Sequence, residues 1–282
     1  MTTLRKLIEH AGANDGVPYV DAMFPDRPLT LWSARPQQHD PDMPVLFVLH
    51  GANRNANDYR DFWLKLVDEA GILAIAPEFS KEHYPGLRWF NYGNLLDDAG
   101  QKLPRTESTY GIIERMFTAL READVTRTRR YGLFGHSAGG QFVHRAVSAG
   151  FRANTAVAIA ANSGSYAMPD PQVGFPYGLG GIGVDADELR RMFAYRLTVM
   201  VGIEDLDNTS DAFPKEPEAM LQGDTRFARA HRYIGRAREI AEGLGARCRW
   251  SLVEVAGVGH EGDKISSASA PIAAAALYAG TE

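Results

Sequence analysis

The chain has 282 residues, of which 45% are hydrophobic and 23% charged, an ordinary composition for a globular protein that can build a sizeable core. Its formal net charge is −5, and Arg127, Arg129 and Arg130 make only a short, broken basic cluster, so binding to nucleic acid or to an anionic membrane surface is not expected. Cys248 is the single cysteine, which excludes an intramolecular disulfide, a CxxC pair and a cysteine-based zinc cluster.

The opening residues MTTLRKLIEHAGANDG lack the apolar run and small-residue cleavage site of a secretory signal. No apolar stretch is long and pure enough to span a bilayer. With the lone cysteine, these features give the expectation of a cytoplasmic protein.

Short apolar, β-branched runs alternate with longer amphipathic stretches along the chain. Tyr19–Phe24 reads as an edge strand. Strands are then expected at Leu29–Ala34, Val45–Leu49, Ile72–Ala76, Arg130–Phe134, Ala156–Ala160, Arg196–Val201 and Arg249–Val255. Several are apolar at nearly every position, as in strands of a parallel sheet buried on both faces. Between them, Asp58–Glu69, Tyr110–Arg121, Gln141–Ala149, Ala186–Ala194 and Arg226–Glu242 carry apolar residues at helical spacing. The alanine-rich Ala268–Ala279 reads as a packed terminal helix. This alternation predicts an α/β fold, a mostly parallel central sheet with helices on both faces. We read it as a single domain over residues 1–282, with cap-like loop insertions near 78–107 and 162–184. Such loops at the carboxyl edge of a parallel sheet are where α/β proteins place binding sites.

The most specific motif is Gly135-His136-Ser137-Ala138-Gly139, set between a strand and a helix. A serine on a sharp strand–helix turn is exposed for attack, and the tightness of the turn demands small residues two positions before and after it. The helix that follows aims its positive end, and the Ala138 N–H, at a developing oxyanion. A second motif, His50-Gly51-Ala52-Asn53, follows an early strand and can supply the other oxyanion donor from the backbone near Ala52.

Serine needs a base. Of eight histidines, His10 and His39 lie in polar stretches, His83 in a loop, His144 and His231 on helices, and His50 and His136 inside the two motifs. His260 alone follows a late strand through a glycine-rich turn, on the same sheet edge as Ser137. The acid is sought at a strand end between them. Asp205, in Gly202-Ile203-Glu204-Asp205, has that placement, with Asp207 and Glu204 as close rivals. The cluster Asp205, Asp207, Asp211 lacks the glycine and terminal glutamate of a calcium loop, so no metal is expected. Gly178–Gly183 matches GxGxxG without a preceding strand, which argues against a dinucleotide site. Asn208-Thr209-Ser210 is a glycosylation acceptor only by pattern.

Together these residues resemble the α/β-hydrolase superfamily over nearly the whole chain, from about Leu29 onward. Two further stretches, Asn162–Pro169 and Phe175–Gly178, resemble the polyhydroxybutyrate-depolymerase-like esterase group. The resemblance implies a serine hydrolase with Ser137, Asp205 and His260 as triad, Ala52 and Ala138 as oxyanion donors, and no cofactor. Trp89, Tyr166 and Tyr177 are expected to line the substrate pocket. The implied partner is a small-molecule or oligomeric ester, and the implied class a carboxylesterase. Amide hydrolysis, peptidase action or acyl transfer on the same triad, and a non-catalytic binding protein on the same fold, are the competing readings.

Overall fold

The computed structural model describes residues 3–279. Its chain order is β1 (Gly12–Ala13), β2 (Val17–Tyr19), β3 (Leu29–Arg35), β4 (Val45–Leu49), α1 (Ala56–Trp63), α2 (Val67–Ala70) and β5 (Leu73–Glu78). There follow α3 (Gly111–Glu122), β6 (Tyr131–His136), α4 (Ala138–Ser148), β7 (Thr155–Ala161), α5 (Ala186–Ala194) and β8 (Leu197–Gly202). The chain continues through α6 (Pro217–Met220), α7 (Arg226–Gly243), β9 (Ser251–Val255) and α8 (Gly262–Tyr278). All strands join one sheet in the order β1-β3-β5-β4-β6-β7-β8-β9, with β2 also paired to β3. From β5 to β9 every pairing is parallel, while β1, β2 and β5 pair antiparallel with β3.

The sheet has a core on each face because alternate residues of a strand point to opposite sides. In β4, Val45, Phe47 and Leu49 join the core shared with α3, α4, α5 and α7. Leu46 and Val48 join the core shared with α1 and α8. This two-faced burial is why the central strands read as unbroken apolar runs. It also fixes direction: the loops after β4, β5, β6, β7, β8 and β9 all emerge at one edge, and every candidate site residue lies on them or at the start of α4.

Three local expectations change. The strand expected at Tyr19–Phe24 stops at Tyr19. Buried Asp21 accepts a hydrogen bond from the Met23 N–H at 2.9 Å, and the Phe24 N–H reaches Asp21 O, so the chain turns there. The helix expected over Asp58–Glu69 is two helices, α1 and α2. The helix expected from Gln141 begins at Ala138, directly after the candidate nucleophile. Gly139 and Gly140 look like loop residues in sequence, but they are helical and pack tightly. A Cβ on Gly139 would collide with the carbonyl oxygen of Leu49, and one on Gly140 would come within 2.5 Å of that of Ala161.

Gly139→Ala should therefore destabilise the protein by about 3 kcal/mol or more. Gly243→Ala, in the last turn of α7 where an added Cβ meets nothing within 4 Å, should be neutral or stabilising by up to about 1 kcal/mol. Urea unfolding compares the two, and equal losses would contradict this packing.

Candidate active site

Ser137 sits between β6 and α4 with φ 58° and ψ −114°, a backbone conformation that non-glycine residues seldom adopt. Its N–H donates to Ala161 O at 2.9 Å, and its carbonyl accepts from the Gln141 N–H at 3.0 Å. The turn is thus clamped to β7 on one side and starts α4 on the other. A Cβ on Gly135 would strike the Gly139 carbonyl, so the motif's small residues are a steric necessity. The first N–H groups of α4 have no partner within the helix and lie beside Ser137.

His260 and Asp205 complete a line of contacts across three strand ends. His260 Nε2 lies 3.1 Å from Ser137 Oγ, and His260 Nδ1 lies 2.8 Å from Asp205 Oδ2. Asp205 is fully buried, whereas His260 and Ser137 are partly open to solvent. Asp207 is exposed and its carboxylate accepts from the N–H and hydroxyl of Thr209, and Glu204 is also exposed. Of the three acids near the end of β8, Asp205 is the one that meets His260.

Residues outside the sequence motifs hold this line. Arg226, buried at the start of α7, donates to Asp205 Oδ1 at 3.3 Å and to Asp207 O at 3.0 Å. It is placed there because Thr225 caps α7, its hydroxyl accepting from the Ala228 N–H. Asn162, at φ 45°, donates from Nδ2 to Gly259 O at 2.7 Å and accepts the Gly202 N–H on Oδ1 at 3.0 Å. It ties the His260 turn to the end of β8. Glu261 braces the same turn by accepting the Gly259 N–H at 2.7 Å. No sequence spacing links Arg226 to Asp205, and Asn162 stands out in the sequence only within the stretch Asn162–Pro169 that carries the family resemblance.

The turn after β4 places Ala52 and Asn53 at the surface over a rigid base. His50 is fully buried, with Nδ1 3.0 Å from Gly51 O, while Nε2 accepts the Phe79 N–H at 3.0 Å. Its ring stacks on Phe90, with centroids 4.6 Å apart. Arg54 donates to Phe79 O and Gly86 O, at 2.6 and 2.8 Å. His50 is therefore a neutral strut for the loop.

The expected pocket aromatics divide. Tyr166 is fully buried and stacks between His144 and Tyr233, 4.9 and 4.5 Å between centroids, so it packs the loop down and faces no open pocket. Trp89 is half-buried against the N-terminal turn, edge-on to Phe24 and with the Arg27 guanidinium 3.7 Å from its ring centre. Tyr177 is half-buried and lines a cleft of about 500 Å³ with Met168, Val173, Leu221 and Gln222, whose lining includes none of Ser137, Asp205 and His260. Gly178 of the GxGxxG stretch is needed because a Cβ would strike Val173.

The chain is similar to solved structures. LpqC, a poly(3-hydroxybutyrate) depolymerase from Bordetella parapertussis, is 38% identical, with a TM-score of 0.90 over 96% of this chain and 94% of that one. Poly(aspartic acid) hydrolase-1 from Sphingomonas sp. KT-1 is 34% identical, with a TM-score of 0.89 over 93% and 98%. The chain belongs to the polyhydroxybutyrate-depolymerase-like esterase group of the α/β-hydrolase superfamily. It is a hydrolase of that fold. A more distant structure, an S-formylglutathione hydrolase from Agrobacterium tumefaciens, is 17% identical with a TM-score of 0.55 and shares the fold. No protein-family model and no curated protein sequence matches the chain. Among the described residues, no helix is long and apolar enough to cross a membrane.

Three buried histidines are held neutral. Burial pushes His50 down to about 3, and drives His136 and His144 well below the ordinary histidine value. In the unfolded chain each titrates near about 6.5. Below that pH the unfolded state binds protons that the folded state refuses, so stability falls as pH drops. Each such histidine removes about 1.4 kcal/mol per pH unit. Urea midpoints measured from pH 6.5 to 5, above the carboxylate range, should fall with a slope of more than one proton. A flat profile across that window would show that these rings accept protons in the folded state.

Proposed function

We propose that the protein hydrolyses carboxylic esters through a covalent acyl-enzyme on Ser137. The observation that carries the reading is the unbroken contact line Asp205–His260–Ser137, ending on a strained strand–helix turn. In this reading His260 Nε2 takes the Ser137 proton as Oγ attacks the ester carbonyl. The Ala52 and Ala138 N–H groups receive the oxyanion. His260 then protonates the departing alcohol and, in the second half-reaction, activates the water that frees the acid. Asp205 holds the imidazole in the Nδ1–H tautomer and faces the charge that forms on it. The residues named here perform every step without a metal or organic cofactor.

The substrate class we favour is a small or oligomeric ester, with Tyr177 on its path. One neighbour acts by name on a poly(3-hydroxybutyrate) and the other on a poly(aspartic acid). Poly(aspartic acid) is a polyamide, so amide hydrolysis on the same triad is the second reading. A series of p-nitrophenyl esters beside aminoacyl anilides separates the two: we expect ester turnover to exceed anilide turnover by at least about tenfold.

Ser137→Ala should lower ester kcat by about 10⁴-fold or more, because the three groups act as a unit. Asp205→Asn should lose about 10⁴-fold through loss of tautomer control. Asp207→Asn, at an exposed side chain that bonds to Thr209, should leave kcat within about twofold. A folded Ser137→Ala protein with parental turnover, or a larger loss in Asp207→Asn than in Asp205→Asn, would overturn these assignments.

A further inference from the structure

Behind the reacting face lies a buried pair that these steps leave unused. His136 ends β6, immediately before Ser137, and is buried. Its Nδ1 lies 2.7 Å from the Tyr59 hydroxyl on α1. Its ring stands against that of His260, with centroids 4.6 Å apart and planes inclined at 42°. The Tyr59 hydroxyl in turn lies against Gly51: a Cβ there would come within 2.8 Å of it, and within 3.8 Å of Ser137 Cβ. The pair therefore touches the candidate base on one side and the loop that carries Ala52 on the other.

Packing alone does not account for a histidine here. Its Nε2 is buried without a hydrogen-bond partner among the described residues, a destabilising arrangement that phenylalanine in the same space would avoid. Burial, with His260 and Arg226 nearby, keeps the ring neutral. An uncharged aromatic ring beside His260 accommodates the imidazolium that forms during acyl transfer, whereas a second charge at that distance would oppose it.

We propose that Tyr59 and His136 are positioning residues: the Tyr59 hydroxyl fixes the His136 ring, and that ring sets the plane of the His260 imidazole between Asp205 and Ser137. This rests on the serine-hydrolase reading above. Because Tyr59 also abuts Gly51, the same pair joins the base to the oxyanion loop as one unit.

The test is a double-mutant cycle of Tyr59→Phe, His136→Phe and both together, with kcat and KM for p-nitrophenyl acetate and a thermal melt for each protein. Each single change should lower kcat by about tenfold with KM within about twofold, and the double variant should be no slower than the worse single one. Tyr59→Phe removes one oxygen, so it alone decides the matter if His136→Phe does not fold. Parental kcat with only a lowered melting temperature, or two losses that multiply, overturns the proposal. Ser137→Ala run alongside separates the two levels. Ser137-dependent turnover with a flat cycle sinks the positioning role alone; a wild-type protein that neither turns over ester nor reacts with a fluorophosphonate probe sinks both.

Discussion

The molecule depends on how closely three backbones meet under Ser137. The turn from β6 to α4 passes against the end of β4 and the end of β7, and Gly135, Gly139 and Gly140 leave no space there for a side chain. That crowding forces the positive φ of Ser137, which no hydrogen bond from its own side chain relieves within the helix. Strain of this kind persists only where surrounding structure over-determines it. Here the parallel pairing of β4, β6 and β7 does so, with registers running from Val45 to Leu49 and from Gly132 to His136.

Once that turn is fixed, the rest of the site is a matter of bringing two more strand ends to it. Strand β8 presents Asp205 and β9 presents His260, and Asn162 bonds both loops to the end of β7. The longer loops above are held by arginines that use backbone carbonyls in place of carboxylates. Arg145 is fully buried and donates to Pro176 O, Gln141 O, Gln141 Oε1 and Ser165 Oγ. Arg229 donates to Gly223 O, Gly164 O and Pro214 O, and burial pushes its guanidinium down to about 10. Guanidinium groups suit this role because five fixed N–H donors can satisfy several carbonyls at once. The outcome is loops tied to the α4 and α7 scaffold, with Leu206 exposed next to Asp205 and Leu221 exposed in the lining of the Tyr177 cleft.

The fold is legible because burial on both sheet faces writes itself as apolar runs, and the candidate nucleophile because the turn at Ser137 admits so few residue types. Position after a late strand singles out His260 as the candidate base, and distance past the end of β8 singles out Asp205 as the candidate acid; the contacts of His260 with both Ser137 and Asp205 agree with that choice. What could not be read is what depends on long-range contact. Arg226 reaches Asp205 from 21 residues away through a capped helix, and nothing in its own neighbourhood signals that. Tyr166 looked like a pocket residue because aromatic side chains among glycines and prolines suit a binding loop equally well as an anchored one. Its burial against Tyr233 and His144 decided for the anchor. Trp89 is engaged by Phe24 and Arg27, which follow the turn at Asp21 in a stretch whose sequence reads as an edge strand.

In the proposed mechanism Ser137 carries the acyl group during turnover. Rapid mixing with a p-nitrophenyl ester, acid quench and peptide mass spectrometry tests it most directly. One added acyl mass is expected on the peptide containing Ser137, at the serine itself, within the first turnover. Ester hydrolysis with no adduct at any time point, or an adduct on a different residue, would contradict it.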